Sequence, residues 1–182
     1  MFKFYDDLIY VENQENIKNE LMGGYFPWFY HTGTVSPRER EIFKNNPIQS
    51  REIDWFCHRF VVDGEETDSN QFYLIKKNLN PILTMFSESF GFKLWRCQAN
   101  LVPPSGNFFD RRHTSWHIDY PEDHTVLIYY VNDSPARTLF REGGSVEPKQ
   151  GRCLVFDGKH YHSAHIPKKE TRCVINFNFV KI

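Results

Sequence analysis

Hydrophobic positions along the chain follow two different periods. Between Ser69 and Ser89, Phe72, Ile75, Leu79, Leu83 and Phe86 recur three and four residues apart, which places them on one face of a helix. Pro81 lies inside that stretch and is expected to kink or divide it, and Gly91 to stop it. From Lys93 onward the pattern changes to short β-branched and aromatic runs: Lys93–Val102, Ser115–Tyr120, Thr125–Val131, Arg152–Phe156 and Thr171–Val180. Pro-Pro-Ser-Gly, Pro-Glu-Asp, Asp-Ser-Pro and Asp-Gly segments punctuate them. A series of strands without intervening helices implies an antiparallel sandwich or barrel.

The first half of the chain reads as support for that β core. Phe2 to Val11 is expected to be an extended edge strand or lead-in, and Asn13 the N-cap of a short helix that stacks Ile17 on Leu21 and ends at Gly23-Gly24. Pro27 to Tyr30 is strand-like, Ser36-Pro37 opens another short helix broken at Asn46-Pro47, and Ile53 to Val62 is a strand ending at Asp63-Gly64. The expected architecture is mainly β with supporting helices, one domain over residues 1–182, with 1–92 as support and 93–182 as the core.

Composition narrows the function classes. Hydrophobic residues make up 40% of the 182, with 17 Phe, 9 Tyr and 4 Trp, which indicates a folded chain with an aromatic interior. A net charge of −1 gives no electrostatic case for nucleic acid or an anionic membrane surface. Apolar runs fall short of the roughly 20 residues a membrane span needs, and Lys3, Asp6 and Asp7 interrupt the first ten positions. Cys57, Cys97, Cys153 and Cys173 form no Cys-x-x-Cys pair and read as buried, reduced thiols, so a reducing cytoplasm is the expected location.

Candidate chemistry then comes from three places. His117 and Asp119 stand two residues apart, a spacing that on a strand points both side chains to one face. Two imidazoles and one carboxylate form the facial triad that holds non-haem Fe(II) with positions left open. A second source of imidazole is the cluster His160, His162 and His165, following Phe156-Asp157-Gly158; spacing alone does not choose among the three. The third place is the strand from Arg172, where Arg172, Val174, Asn176 and Asn178 share one face and Ile175, Phe177 and Phe179 the other. Charge counting joins these pieces. Fe(II) with one carboxylate retains a positive charge, a dianionic 2-oxo acid could chelate it, and Arg172 would neutralise the far carboxylate, leaving one position for O2.

The segment from Lys93 resembles the double-stranded β-helix, a jelly-roll and cupin-like core, of the Fe(II)/2-oxoglutarate-dependent dioxygenases, closest to their prolyl-4-hydroxylase-like phage and bacterial branch. The family pattern is His-x-Asp, a distal His about six residues after a Phe, and a basic residue ten further on; His117, Asp119, His162 and Arg172 match it. The resemblance thus singles out His162 over His160 and His165, and implies Fe(II), 2-oxoglutarate and O2 as the reacting partners. Ile128-Tyr129-Tyr130-Val131-Asn132 is similar to the family's Tyr-Tyr-Leu-Asn strand, which implies that Tyr130 helps bind the distal carboxylate of 2-oxoglutarate. Asn176 matches a position that adds a polar contact to the same carboxylate. Pro135-Ala136-Arg137-Thr138 departs from the family's Gly-Gly-x-Thr segment.

The implied activity is hydroxylation of an unactivated C–H of a peptide, a peptidyl proline among the candidates, or of a small molecule, with release of succinate and CO2. Halogenases of this kind lack the carboxylate that Asp119 supplies, which favours hydroxylation. A zinc hydrolase on the same ligands, which gives Arg172 no necessary task, and a non-catalytic cupin-like binding module, which would retain ligand or metal without forming succinate, are the rival readings. The stretch Pro103 to Arg112 is expected to be a lid or substrate loop, while His31, His58, His113, His124 and Trp116 are expected to serve surface or packing roles.

Overall fold

A computed structural model describes residues 2–32, 53–89, 91–105 and 113–182. Its elements run β1 (Lys3–Tyr5), α1 (Val11–Met22), β2 (Phe29–His31), β3 (Trp55–Val62), β4 (Glu65–Glu66), α2 (Gln71–Thr84), a π turn (Met85–Ser89) and β5 (Phe92–Val102). The remainder is all strand: β6 (Thr125–Tyr130), β7 (Thr138–Phe140), β8 (Ser145–Val146), β9 (Cys153–Asp157), β10 (His162–Ala164) and β11 (Arg172–Lys181).

Alternation in β6 shows how the layers are built. Val126, Ile128 and Tyr130 pack with Phe140, Val146, Leu154, Phe156 and Val174 in one core. Leu127 and Tyr129 turn the other way and join Ile17, Leu21, Ile75 and Leu79 from the two helices. A large antiparallel sheet, ordered β1-β9-β6-β11-β5-β3-β2 with β4 beside β3, is thus covered by helices on one face. A small sheet, β10-β7-β8, covers part of the other. Burial on both faces explains why β6 reads as a nearly continuous apolar run, since neither face meets bulk water. This is the jelly-roll arrangement expected from the strand pattern. The four cysteines lie buried in it as free thiols, and burial pushes that of Cys153 up to about 12. No helix among the described residues is long and apolar enough to cross a membrane.

Several local expectations are corrected. Asn13 does not cap α1: the helix starts at Val11 after Tyr10, and the Asn13 side chain donates to the Asn78 carbonyl at 3.4 Å, tying α1 to α2. Gln14 sets the entry instead, its buried amide donating to the Ile9 carbonyl at 3.1 Å. Gly23 ends the helix as expected, and a Cβ there would come within 2.5 Å of the Asn19 carbonyl oxygen. Only Lys3–Tyr5 of the predicted edge segment forms a strand, paired with β9. Pro81 neither divides nor ends α2, which runs on to Thr84; the irregularity appears one turn later as the π turn, after the proline has removed a donor from the ladder. The helix expected from Ser36-Pro37 lies outside the described residues, as does the predicted lid from Gly106 to Arg112.

Ser115 to Tyr120 is the correction that matters for function. It is not a ladder strand but a loop that touches β10 through one isolated bridge, His117 to His162, with a second bridge, His113 to His165, just before it. Thr114 breaks the ladder between them, because its hydroxyl accepts the Ala164 N–H at 3.0 Å in place of a backbone carbonyl.

Candidate functional site

The two imidazoles meet because His117 and His162 are bridge partners. Their backbones exchange both hydrogen bonds, at 3.0 and 2.9 Å, and side chains directly opposite in such a pair project to the same side. The ring centroids end 4.5 Å apart. Each Nδ1 is turned to a carbonyl, that of Ser115 at 2.9 Å for His117 and that of His160 at 3.2 Å for His162. A carbonyl can only accept, so both Nδ1 atoms carry the proton and both Nε2 lone pairs are left for another partner.

Asp119 completes the group. Its Oδ1 lies 3.8 Å from His117 Nε2 and 3.6 Å from His162 Nε2, and the three residues offer one ligand atom each within 4.8 Å of one another. Its Oδ2 is occupied by two amides, Asn176 Nδ2 at 2.9 Å and Asn178 Nδ2 at 2.8 Å. The carboxylate therefore presents one free oxygen on the side of the imidazoles. Metal–ligand bonds of about 2.1 Å place neighbouring donors about 3 Å apart, so Asp119 Oδ1 needs less than an ångström of movement toward either imidazole nitrogen to share an ion with it.

Electrostatics agree with this arrangement. Burial pushes the Asp119 carboxyl up, but the charges of His162, Arg96 and His117 and the Asn178 hydrogen bond outweigh it and hold the group below the usual carboxylate range. Burial, with His117 beside it, pushes His162 down to about 4, so the imidazole is neutral at pH 7, the form that binds metal. The amide oxygens of Asn176 and Asn178 are buried without a partner among the described residues.

These groups open on a cavity of about 740 Å³ of empty space, its mouth included, lined by β5, β11, β10 and the 114–119 loop. At one end lies Arg172, 5% exposed. Its Nε donates to the Ala136 carbonyl at 3.1 Å and its Nη2 to Thr138 Oγ1 at 2.9 Å, and its guanidinium carbon stands 5.8 Å from the Tyr130 ring centre. Among the described residues no carboxylate meets it. A buried cation without a counter-charge is costly, and the fold holds this one at the wall of the cavity.

The remaining candidates fall into place around these. Tyr130 does not line the cavity; its hydroxyl donates to Thr138 Oγ1 at 2.7 Å from behind. Asn176 lines the cavity but bonds Asp119, away from Arg172. Sequence reasoning placed Asn178 on the Arg172 face without a role and gave Thr138 none, although Thr138 holds Arg172 and Asn178 holds Asp119. His160 stands 3.6 Å from Glu142, His165 pairs through its backbone with Arg137, and neither joins the ligand group. His58 is a packing residue bonded to the Pro27 carbonyl and Ser69, His113 bonds Ser163, and half-buried Trp116 packs against His113 with the rings tilted.

No family model matches the chain, and no curated protein matches it. Solved structures do. An oxidoreductase of the 2OG-Fe(II) oxygenase family from Burkholderia pseudomallei superposes with a TM-score of 0.71 at 12% identity, over 98% of this chain and 84% of that one. The chain has the fold of the 2-oxoglutarate and Fe(II) oxygenases. The same oxygenase fold recurs in a prolyl hydroxylase from Trichoplax adhaerens in complex with a hypoxia inducible factor peptide, TM-score 0.60 at 14% identity over 99% of this chain and 83% of that one. It recurs again in the α-ketoglutarate-dependent epimerase SnoN of nogalamycin biosynthesis, TM-score 0.64 at 10% identity over 99% of this chain and 78% of that one.

Proposed function

We propose that the protein is a 2-oxoglutarate-dependent Fe(II) oxygenase that hydroxylates an unactivated C–H bond of a peptide or small-molecule substrate. The observation that carries this reading is Arg172: a buried guanidinium without a carboxylate partner among the described residues, lining the same cavity as a His-Asp-His group. A zinc hydrolase would use the ligands and leave that charge unexplained.

His117 Nε2, His162 Nε2 and Asp119 Oδ1 would hold the metal on one side, which leaves the opposite positions to the cavity. Fe(II) and 2-oxoglutarate, when bound, supply the activation of dioxygen, with succinate and CO2 released as the substrate is hydroxylated. The protein's own task is positioning. The Ser115 and His160 carbonyls fix the ring tautomers, and the Asn176 and Asn178 amides fix the carboxylate. Arg172 would pair with the distal carboxylate of the co-substrate, and Thr138, which accepts from both Tyr130 and Arg172, retains its own hydroxyl hydrogen to donate beside it. Tyr130 thus acts on the anion through Thr138. A protein chain of this kind, living in a reducing cytoplasm, keeps its buried thiols reduced.

Anaerobic titration with Fe(II) and then 2-oxoglutarate tests the reading. A weak visible charge-transfer band is expected in the wild type and absent from His162→Ala, and succinate should form only with the former; no band in the correctly folded wild type would refute it.

A further inference from the structure

The stretch that brings His117 to the metal group carries one residue more than the strand it lies against. Between the two bridges, His113 to His165 and His117 to His162, the chain takes four steps on the loop, from 113 to 117, against three on β10, from 165 to 162. A regular antiparallel ladder running on from His113 and His165 would pair Thr114 with Ala164, Ser115 with Ser163 and Trp116 with His162. The extra residue is a bulge, and its effect is to set His117 in the place that Trp116 would otherwise take. A slip of one residue turns a side chain to the other face, so the offset decides whether an imidazole or an indole stands beside His162.

Two buried side chains hold the offset. In a regular pair, Thr114 and Ala164 would exchange both backbone hydrogen bonds. The Thr114 N–H does donate to the Ala164 carbonyl at 2.8 Å, but the Ala164 N–H goes to Thr114 Oγ1 at 3.0 Å. The Thr114 carbonyl, released from the ladder, accepts instead from the Ser163 hydroxyl and from His113 Nδ1, each at 2.7 Å. Thr114 Oγ1 keeps its own hydrogen for Ser163 Oγ, 3.1 Å away. Side chains have thus taken over the bonds that would draw the backbone into the regular register. The bulge also serves the site: the Ser115 carbonyl is turned to His117 Nδ1 at 2.9 Å. Its cost is visible in the Ser115 hydroxyl, buried without a partner among the described residues.

Resting on the metal site proposed above, we propose that Thr114 and Ser163 are positioning residues that lock this one-residue offset and so select His117, rather than Trp116, to stand beside His162 at the metal. Both are buried and both line the cavity, yet their hydroxyls are committed to each other and to the backbone. Removing either one favours the regular pair. Without Thr114 Oγ1, the Ala164 N–H has only the carbonyl of residue 114 to turn to. Without the Ser163 hydroxyl, that carbonyl is released to receive it.

The test is anaerobic Co(II) titration of the full chain, read by visible absorption, with circular dichroism to establish folding. Thr114→Val and Ser163→Ala are each expected to weaken Co(II) binding about tenfold or more, whereas Thr114→Ser, which keeps the oxygen, should stay within about threefold of the wild type. A second substitution separates a slipped register from a loosened one. Trp116→His puts an imidazole where the slip would bring it, so it should recover about threefold or more of the lost affinity in the Thr114→Val background and add none to the wild type. If Thr114→Val fails to fold, Ser163→Ala carries the same comparison. Unchanged affinity in Thr114→Val and Ser163→Ala, an equal loss in Thr114→Ser, or a loss that Trp116→His does not reduce overturns the proposal. The two readings fail differently: a folded wild type that binds no Co(II) counts against the metal site itself, whereas a wild type that binds it beside unaffected variants counts against the lock alone.

Discussion

Replacing Asn178 by alanine removes one of the two amides that pin Asp119 Oδ2, and its consequences can be sized from the geometry. The bond is 2.8 Å long, buried, and made to a carboxylate. A hydrogen bond to a charged group contributes about 1.5–3 kcal/mol. Support of this kind behind a metal ligand changes affinity about 10- to 100-fold, about 1.4–2.7 kcal/mol, and the two ranges agree. Fold stability should respond less. Asn178 Oδ1 is a buried acceptor without a partner among the described residues, so alanine deletes a costly orphan along with the donor. The expected result is a metal dissociation constant raised 10- to 100-fold, measured anaerobically by Co(II) titration, with the metal-free unfolding free energy changed by about 1 kcal/mol or less. In an Asp119→Ala background the Asn178 substitution should have almost no further effect on metal affinity. Asn178→Ala binding Co(II) as tightly as wild type would show that the loop backbone alone orients Asp119 and would refute the positioning argument.

Arg172→Gln should weaken 2-oxoglutarate binding by at least about 100-fold, roughly 3 kcal/mol for a buried charge pair, while leaving Co(II) affinity within about threefold; isothermal titration of each ligand distinguishes the two. Thr138→Val keeps the shape but strands Tyr130 Oη and Arg172 Nη2, so chemical denaturation should register a loss of about 1–3 kcal/mol and 2-oxoglutarate should bind more weakly. Asp6 receives Arg152 Nε at 2.7 Å and Nη2 at 2.9 Å, and that hydrogen bond, opposed by burial and aided by the charges of Arg152 and Lys149, holds its carboxyl below 3.8. A depressed carboxyl stabilises the fold above its unfolded pKa and loses that contribution as pH falls through the folded one. Asp6→Asn should accordingly cost about 1 kcal/mol at pH 7, a modest value for a partly exposed pair, with the deficit shrinking as the pH is lowered below 3.8 in urea melts.

How much of this was legible in the sequence depends on whether a feature is carried by local period or by long-range register. Alternation along β11 correctly separates Arg172, Val174 and Asn176, which line the cavity, from Cys173, Ile175 and Phe177, which face the helices. The same reasoning applied to β5 would have found Arg96, Gln98 and Asn100, since polar and small apolar residues alternate there without a break. His117 and Asp119 were grouped on the premise of a strand that the structure does not contain. They converge for another reason: the bridge from His117 to His162 joins positions 45 apart in sequence, and the Asn176 and Asn178 amides draw Asp119 in from a loop. Asn176 was likewise assigned to the co-substrate anion by its spacing from Arg172, whereas four residues of strand, about 13 Å, carry it to the metal end of the cavity instead. Spacing along one strand tells which face a side chain takes. Only pairing between strands tells which end of the cavity it serves, since it sets Val102 opposite Arg172 and Gln98 opposite Asn176.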